Sequence, residues 1–289
     1  MICPLLCIKP NNTMVSVSQC LEEACDKEQP AVGNSDVSGS IVVPIDQIGI
    51  GFWLAAMLGS PTTTGSGDPY THVFKVKNGQ PSLVLEQQYP DITIYEMFNG
   101  CKINKFSFNY GGDTELTAQI DLMGAKRTIG ATPFAAPLTN SSLLKFSNFQ
   151  GTIEEGGAQL AIVTKANLNV DFGLDGNNYT IGGGGYRTEL PEGYLQVFGN
   201  IKAFFEDTVL LNKAISNTKT SLNFKFANGA AHSLGFFMEE VIIQQTSPGI
   251  ENEKGIIINL PFKAFYNNGT GGSVIVATLV NNNASYAVS

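Results

Sequence analysis

The chain has 289 residues, of which 43% are hydrophobic and 15% charged, with a formal net charge of −8 and a pI near 4.8. This length and apolar content allow a substantial core, in one large β domain or two fused small ones. The acidic balance argues against a dedicated nucleic-acid-binding protein, which needs a basic patch. No apolar run approaches the ~20 residues of a membrane helix, and residues 2–8 are too short for a signal peptide. The sequence therefore predicts a soluble cytosolic product that does not insert into a membrane.

Residues 1–38 are polar and weakly periodic, which predicts an extended or mobile N-terminal arm. Four cysteines lie in it with the spacing C-x3-C-x12-C-x4-C: Cys3, Cys7, Cys20 and Cys25. This spacing does not match the common zinc ribbons and neither histidine is nearby, so reduced thiols are favoured over a metal site. The role and redox state of the four thiols stay open.

The first predicted elements follow the arm. Ile41 to Val43 forms a short strand, and Asp46 caps a helix that ends at Gly59. Ser60 to Thr71 is then a loop, too polar and too rich in Gly and Pro to pack inside.

The main β region starts at His72. Two apolar segments flank Asn78-Gly79, a strong hairpin signal. Further strands are predicted over 92–97, 102–110 and 116–122, the last with a strict alternation of apolar and polar residues. Cys101 is expected to be half-buried at the start of a strand.

The second half repeats the pattern after a loop-rich stretch over 128–150. Strands are predicted through Phe172 and over 194–205, 220–226, 232–245, 256–266 and 274–279, with a glycine-rich turn at 182–185 and a short helix at 207–215. The fold class is therefore mainly β, a sandwich or barrel with one or two flanking short α-helices. The predicted organisation is the arm, 1–38, and one β domain, 39–289, with two similar halves at about 39–128 and 151–281.

Catalytic chemistry is not predicted. His72 and His232 have no Ser, Cys or acidic partner at a triad spacing, and G-x-S-x-G is absent. Glu154-Glu155 and Glu239-Glu240 are adjacent strand residues whose side chains point to opposite faces, so neither pair converges on a substrate.

Cofactor and metal sites are not predicted either. Gly182 to Gly185 lacks the Lys-Ser/Thr of a P-loop and leads into another strand. Asp171, Asp175 and Asn177 would begin a calcium loop, but its twelfth position, 182, is Gly instead of Glu.

The order of motifs from Gly39 to Asn281 resembles the major tail tube proteins of long-tailed bacteriophages and of gene-transfer agents. The first half contains GSIVVPIDQIGIGFWLAAMLGS, THVFKV, PSLVLE, GCKINKFSFNY and ELTAQIDLMG. The second contains KANLNVDF, GGYRTELPEGYLQVFGNIKAFFEDTVLLNKA, TSLNFKF, IIINLPFKAFY and GGSVIVATLVN. Each of these segments is weakly specific by itself, and their order along the chain carries the resemblance. Residues 1–38 have no recognised counterpart.

The resemblance implies a structural virion protein with a β-sandwich flanked by a helix. Six copies would form a ring whose strands close a barrel around a lumen, and stacked rings would form the tail tube that conducts the DNA genome into the host. The implied partners are other copies of the chain and further tail proteins: the tape measure, the tail tip and the terminator. Assembly would take place in the host cytoplasm.

Strand parity and the resemblance together predict two surfaces. The residues predicted to face the lumen are Lys105, Ser107, Asn109, Glu115, Thr117, Gln119, Asp121, Lys165, Asn167, Asn169, Asp171, Gln196, Asn200 and Lys202. The loop predicted to join adjacent rings includes Ser60, Pro61, Thr64, Gly67, Asp68 and Tyr70. A ring of six copies would carry 6 × −8 = −48 charges, so the lumen wall is expected to be acidic and neutral and to hold DNA nowhere.

The main alternative is a secreted or cell-surface β-sandwich module that binds carbohydrate. It would need an exposed aromatic cluster and a leader peptide, whereas the aromatic residues here mostly follow the core parity. A β-sandwich hydrolase is a third alternative, which the scarcity of histidine argues against.

Overall fold

A computed structural model describes residues 7–15, 31–112, 115–134, 144–160, 162–205, 208–246, 256–266, 269 and 271–286. Cys3, Cys20 and Cys25 lie outside these residues, so the interpretation of the N-terminal thiols stays a prediction. The described part of the chain is mainly β, with two α-helices, as the sequence predicts.

The strands are numbered in chain order. They are β1 (Cys7–Val15), β2 (Ala31–Pro44), β3 (Thr62–Thr64), β4 (Tyr70–Lys75), β5 (Leu83–Tyr89), β6 (Ile94–Tyr110), β7 (Thr117–Gly124), β8 (Lys126–Gly130), β9 (Gly151–Glu155), β10 (Ala158–Gln159), β11 (Val163–Asp171), β12 (Gln196–Phe204), β13 (Thr220–Ala227), β14 (Ser233–Ile243), β15 (Ile257–Ala264) and β16 (Val276–Asn281). The helices are α1 (Gly49–Leu58) and α2 (Val209–Ile215), and two 3-10 turns cover Pro90–Ile92 and Asn148–Gln150.

The strands form two packed layers in which the recorded pairings are antiparallel. The first layer, sheet 1, has the order β1-β2-β7-β6-β11-β12-β15, and the second, sheet 2, has the order β3-β4-β16-β14-β13-β9-β10. β14 joins them, because its first half pairs with β16 and its residues Val241–Ile243 pair with β15. Each sheet contains strands from both halves of the sequence.

Aromatic side chains fill the space between the sheets. Phe106 and Phe108 of sheet 1 pack against Phe236 of sheet 2, with ring centroids 6.0 and 5.2 Å apart. Phe108 also meets Phe224 edge to face at 6.2 Å. These rings are buried in one continuous apolar cluster, whose contacts favour this arrangement of the sheets.

Helix α1 begins at Gly49, slightly later than predicted, with Ile48 at the N-cap position, and the predicted capping residue Asp46 bonds to its first turn. The Asp46 carboxylate accepts hydrogen bonds from the backbone N–H groups of Ile48, Gly49 and Ile50 at 3.2, 2.6 and 2.9 Å, which satisfies donors that the first turn leaves unpaired. Tyr286 packs against the helix, and a Cβ atom at Gly51 would lie 2.4 Å from its ring. Glycine at this position therefore permits the close approach of the C-terminal segment.

Three strand predictions in the first half were wrong. Asn78-Gly79 does not join a hairpin, because β4 pairs with β3 and β16 while β5 pairs with β6. The strand predicted at Ile41 begins at Ala31, since its first residues pair with β1. The two strands predicted around Cys101 are one continuous strand, β6, whose first part pairs with β5 and β8 and whose second part pairs with β7 and β11.

Cys101 itself lies within β6 and is fully buried beside Phe98 and Val37, not half-buried as expected. Burial raises the pKa of its thiol to about 11. The thiol therefore stays protonated at neutral pH.

Candidate functional site

One side of sheet 1 faces solvent and carries the residues that strand parity singled out. The term "polar face" is used below for this side of the six strands β2, β7, β6, β11, β12 and β15. Thirteen of the fourteen predicted residues lie on four of these strands, and Glu115 lies two residues before β7. The alternate residues of the same strands are buried in the core. The structure thus brings all fourteen to one surface.

The strand register arranges these side chains in rows across the sheet. The rows, each listed from one strand to the next, are Ser40, Asp121, Lys105, Asp171 and Gln196; Val42, Gln119, Ser107, Asn169, Phe198 and Lys263; Pro44, Thr117, Asn109, Asn167, Asn200 and Pro261; and Lys165, Lys202 and Asn259. Amide and hydroxyl groups fill the middle of the face, and charged groups lie toward its two ends.

The carboxylates of the polar face have nearby partners. Asp171 pairs with Lys105 at 3.0 Å, and Glu115 pairs with Lys145 of the segment before the second 3-10 turn. Asp121 accepts a hydrogen bond from the Gln119 amide at 2.9 Å. The negative charge on this surface is therefore largely compensated.

The described face carries more positive than negative charge. On its six strands it has five lysines (Lys102, Lys105, Lys165, Lys202 and Lys263) against three aspartates (Asp36, Asp121 and Asp171), and Glu115 and Lys145 pair beside it. The polar face of the described residues is therefore not predominantly acidic, and the net charge of −8 comes from elsewhere on the chain. The charge of a lumen wall stays a prediction. Net charge does not report how charge is distributed among surfaces.

Residues that the parity argument missed also lie on the polar face. Lys263 of β15 lies directly opposite Phe198 of β12, and Val42 of β2 occupies the other end of the same row. Phe198 and Val42 are partly exposed apolar side chains at 40% and 47%. The alternation of apolar and polar residues in IINLPFKA was visible in the sequence. Only the pairing of β15 with β12 shows that its polar residues lie on the polar face.

The segment predicted as a loop, Ser60 to Thr71, is mostly a hairpin. Thr62–Thr64 pair with residues Thr71–Val73 of β4, so the unpaired part shortens to a five-residue tip at 65–69. Thr64, Gly67 and Asp68 are exposed. Ser60, Pro61 and Tyr70 are half-buried at its base. The hairpin lies at the edge of sheet 2 and is not part of the polar face.

The groups considered for catalysis and metal binding have structural partners. His72 is buried, with its Nδ1 2.8 Å from the Thr63 hydroxyl and its Nε2 2.9 Å from the Asn283 carbonyl oxygen. Asp175 accepts hydrogen bonds from the backbone N–H of Asn177 and the Asn178 amide. These contacts stabilise turns and strand ends.

The two glutamates of Glu154-Glu155 take partners on opposite sides of β9. Glu154 pairs with Lys225 at 2.6 Å, and Glu155 pairs with Lys213 at 2.6 Å. They do not form an acid–base dyad. Within the described ranges, no group of three or more His, Cys, Asp or Glu residues could hold a metal ion.

A buried arginine that the sequence did not single out holds one end of the polar sheet. The Arg187 guanidinium donates to the carbonyl oxygens of Gly176, Val37 and Gly124 at 2.6, 2.9 and 2.9 Å, and it also pairs with Asp36. These contacts tie the loop between β11 and β12 to the middle of β2 and to the end of β7. The glycines at 182, 184 and 185 have positive φ and form the predicted flexible turn in this loop.

The family comparison agrees with this architecture. A family model described as phage tail tube protein matches residues 26–264. The chain belongs to this family. The match covers most of the chain and begins inside the predicted arm, whereas the motif resemblance began at Gly39. No curated protein matches the sequence.

Membership of the phage tail tube family makes this chain a structural component of the virion tail. The family is one of proteins that self-assemble with other tail components. None of the helices in the described ranges is long and apolar enough to cross a membrane.

Proposed function

We propose that six copies of this tail tube protein form a ring, that rings stack into the tail tube, and that the polar face lines the lumen through which the DNA genome passes. The observation that carries the proposal is the continuity of the polar face. Its rows extend over up to six strands with few apolar interruptions, while the opposite side of the same strands is core. A wall of a water-filled channel needs such a surface.

The remaining surfaces have proposed roles in assembly. The hairpin at Ser60–Thr71 is long and exposed, and ordering it against an adjacent ring would bury an element that otherwise contributes little to the fold. The arm, residues 1–38, contributes to contacts between subunits, with 39–289 as the tube-forming domain. β1 lengthens sheet 1 beyond β2 and leaves an edge strand, a feature that favours pairing with another chain. The tape measure, tail tip and terminator proteins are the further partners.

Site-specific labelling of assembled tubes tests the proposed lumen. A clickable amino acid is introduced at Asn169, on the polar face, or at Thr278, which is half-buried on the outer side of sheet 2 and serves as the matched control. Purified protein is assembled, its tubes are checked by negative-stain microscopy, and each tube sample is treated with a small dye or a large polymer-linked reagent.

In free subunits both positions should react with both reagents. In long tubes, the Asn169 position should keep its reactivity toward the small dye and lose it toward the large reagent, because only the open ends admit a polymer. The Thr278 position should keep more of its reactivity toward the large reagent. Equal reactivity of the Asn169 position toward the large reagent before and after assembly would contradict a lumenal polar face.

A further inference from the structure

The charge on the polar face is unevenly distributed. Asp36 pairs with Arg187, Asp171 with Lys105, and the neighbouring Glu115 with Lys145, so among the carboxylates on or beside the described face only Asp121 lacks an ion-pair partner. Lys165, Lys202 and Lys263 lie toward the other strands, β11, β12 and β15. An acidic chain thus presents one surface with an excess of ammonium groups.

The geometry of this lysine group suits contact with a second molecule. Lys165 and Lys202 are direct cross-strand partners on β11 and β12, so their side chains leave the sheet on the same side. Lys263 lies on the next strand, opposite Phe198. Among the described residues, no carboxylate lies within ion-pair distance of Lys165 or Lys263. Both lysines are also exposed to solvent.

We infer that the polar face is a weak binding surface for the phosphodiester backbone of DNA, with Lys165 and Lys263 as its phosphate contacts. Lysine acts as a point charge toward phosphate and needs no fixed contact geometry. A small number of such contacts gives sequence-independent binding that permits sliding along the duplex. This inference rests on the proposed function in one respect: the proposed lumen brings DNA next to the polar face.

The amide groups between the charged rows agree with a surface that guides the duplex without fixing it. The Asn167 side-chain oxygen, Oδ1, accepts hydrogen bonds from the Asn169 side-chain amide at 3.2 Å and from the Asn200 backbone N–H at 3.0 Å. Because these groups bond to one another, they compete weakly for phosphate. The lysines are then the main source of attraction.

The experiment measures binding of a short mixed-sequence DNA duplex to the folded full-length protein by fluorescence anisotropy over a series of salt concentrations. The test variant is Lys165→Glu with Lys263→Glu. The control variant is Lys75→Glu with Lys219→Glu, which changes the net charge equally at positions away from the polar face. Circular dichroism confirms that both variants are folded.

Wild-type protein should bind the duplex at low salt, with a slope of log K against log[salt] near −0.9 per contacted phosphate, thus about −2 for the two lysines. The test variant should lose at least about tenfold in affinity and flatten the slope by about two units, since each lysine contributes roughly one. The control variant should change affinity much less. Lysine acetylation with and without the duplex should show protection of Lys165 and Lys263 in wild-type protein.

Two results would overturn the inference: no duplex binding by wild-type protein at low salt, or equal losses in the test and control variants. Microscopy of the same samples separates this inference from the proposed function. Tubes that form without any affinity for DNA would overturn the phosphate contacts alone. Protein that binds the duplex through these lysines but never forms rings or tubes would support the contacts and contradict the proposed assembly.

Discussion

Replacing Arg187 with methionine should destabilise the protein much more than the same replacement at Arg127. The Arg187 side chain is only 5% exposed and donates to three backbone carbonyl groups in addition to pairing with Asp36. Methionine has a similar length but no donors, so Arg187→Met would leave three carbonyl oxygens and one carboxylate without their partner.

The expected cost follows from the three backbone carbonyl oxygens that lose their donor. At about 1–3 kcal/mol for each unsatisfied group, the loss is about 3–5 kcal/mol of the free energy of unfolding. Asp36 adds little, because its side chain is 40% exposed and water can solvate it. For a chain of this size that loss lowers Tm by roughly 6–20 °C. Arg127→Met is the matched control, since Arg127 pairs with Glu96 but is 27% exposed, and it should cost about 1 kcal/mol.

Urea unfolding followed by circular dichroism measures both costs. Hydrogen exchange should also show lost protection near Val37 and Gly124, because the Arg187 contacts hold the middle of β2 and the end of β7. A loss for Arg187→Met within error of that for Arg127→Met would refute the argument that Arg187 holds this end of the sheet.

Three other predictions concern assembly, DNA passage and pH. Shortening the hairpin at 65–69 to a tight turn should leave a folded monomer that does not polymerise, as measured by melting temperature and negative-stain microscopy; normal tube growth would show that the hairpin makes no essential ring contact. Replacing Glu115, Gln119 and Asp121 together with lysine should cost about 1–2 kcal/mol of stability, because Glu115 pairs with Lys145 and the half-buried Asp121 lies opposite Lys105. The change should slow DNA ejection from assembled particles, with recovery at high salt; ejection at the wild-type rate would place these residues away from DNA. Burial raises the pKa of the Cys101 thiol to about 11 from 9.0, so its contribution to stability is fully present below pH 9 and is lost as pH rises toward 11. Relative to Cys101→Ala, the free energy of unfolding of wild-type protein should fall by up to about 3 kcal/mol over that range. Urea unfolding of both proteins at pH 8 and above pH 10 measures this difference, and an equal difference at the two pH values would contradict the prediction.

The polar face could be predicted from the sequence because alternation is a local property. In ELTAQIDL and KANLNVDF every second residue is apolar, and burial of those residues forces the intervening ones to solvent wherever the strands lie. The contribution of Asp46 to the start of α1 was equally local, since its carboxylate bonds to N–H groups within four residues.

Features that depend on pairing between distant segments could not be predicted in this way. Asn78-Gly79 has the composition of a hairpin turn, but β4 finds its partner in β16, about two hundred residues later in the chain. The contacts of Arg187 go largely to backbone carbonyl groups, which every residue type carries, so no sequence pattern indicates them. The excess of lysine on the polar face was missed for the same reason, because β15 brings Lys263 to it only through its pairing with β12.

A cryo-electron-microscopy reconstruction of the assembled tail, or of tubes grown from the purified protein, tests the central claim most directly. The account predicts stacked six-subunit rings in which Ser107, Asn109, Asn167, Asn169 and Asn200 border the axial channel. A tube whose channel is bordered by the outer side of sheet 2, with these residues on its exterior or buried between subunits, would contradict it.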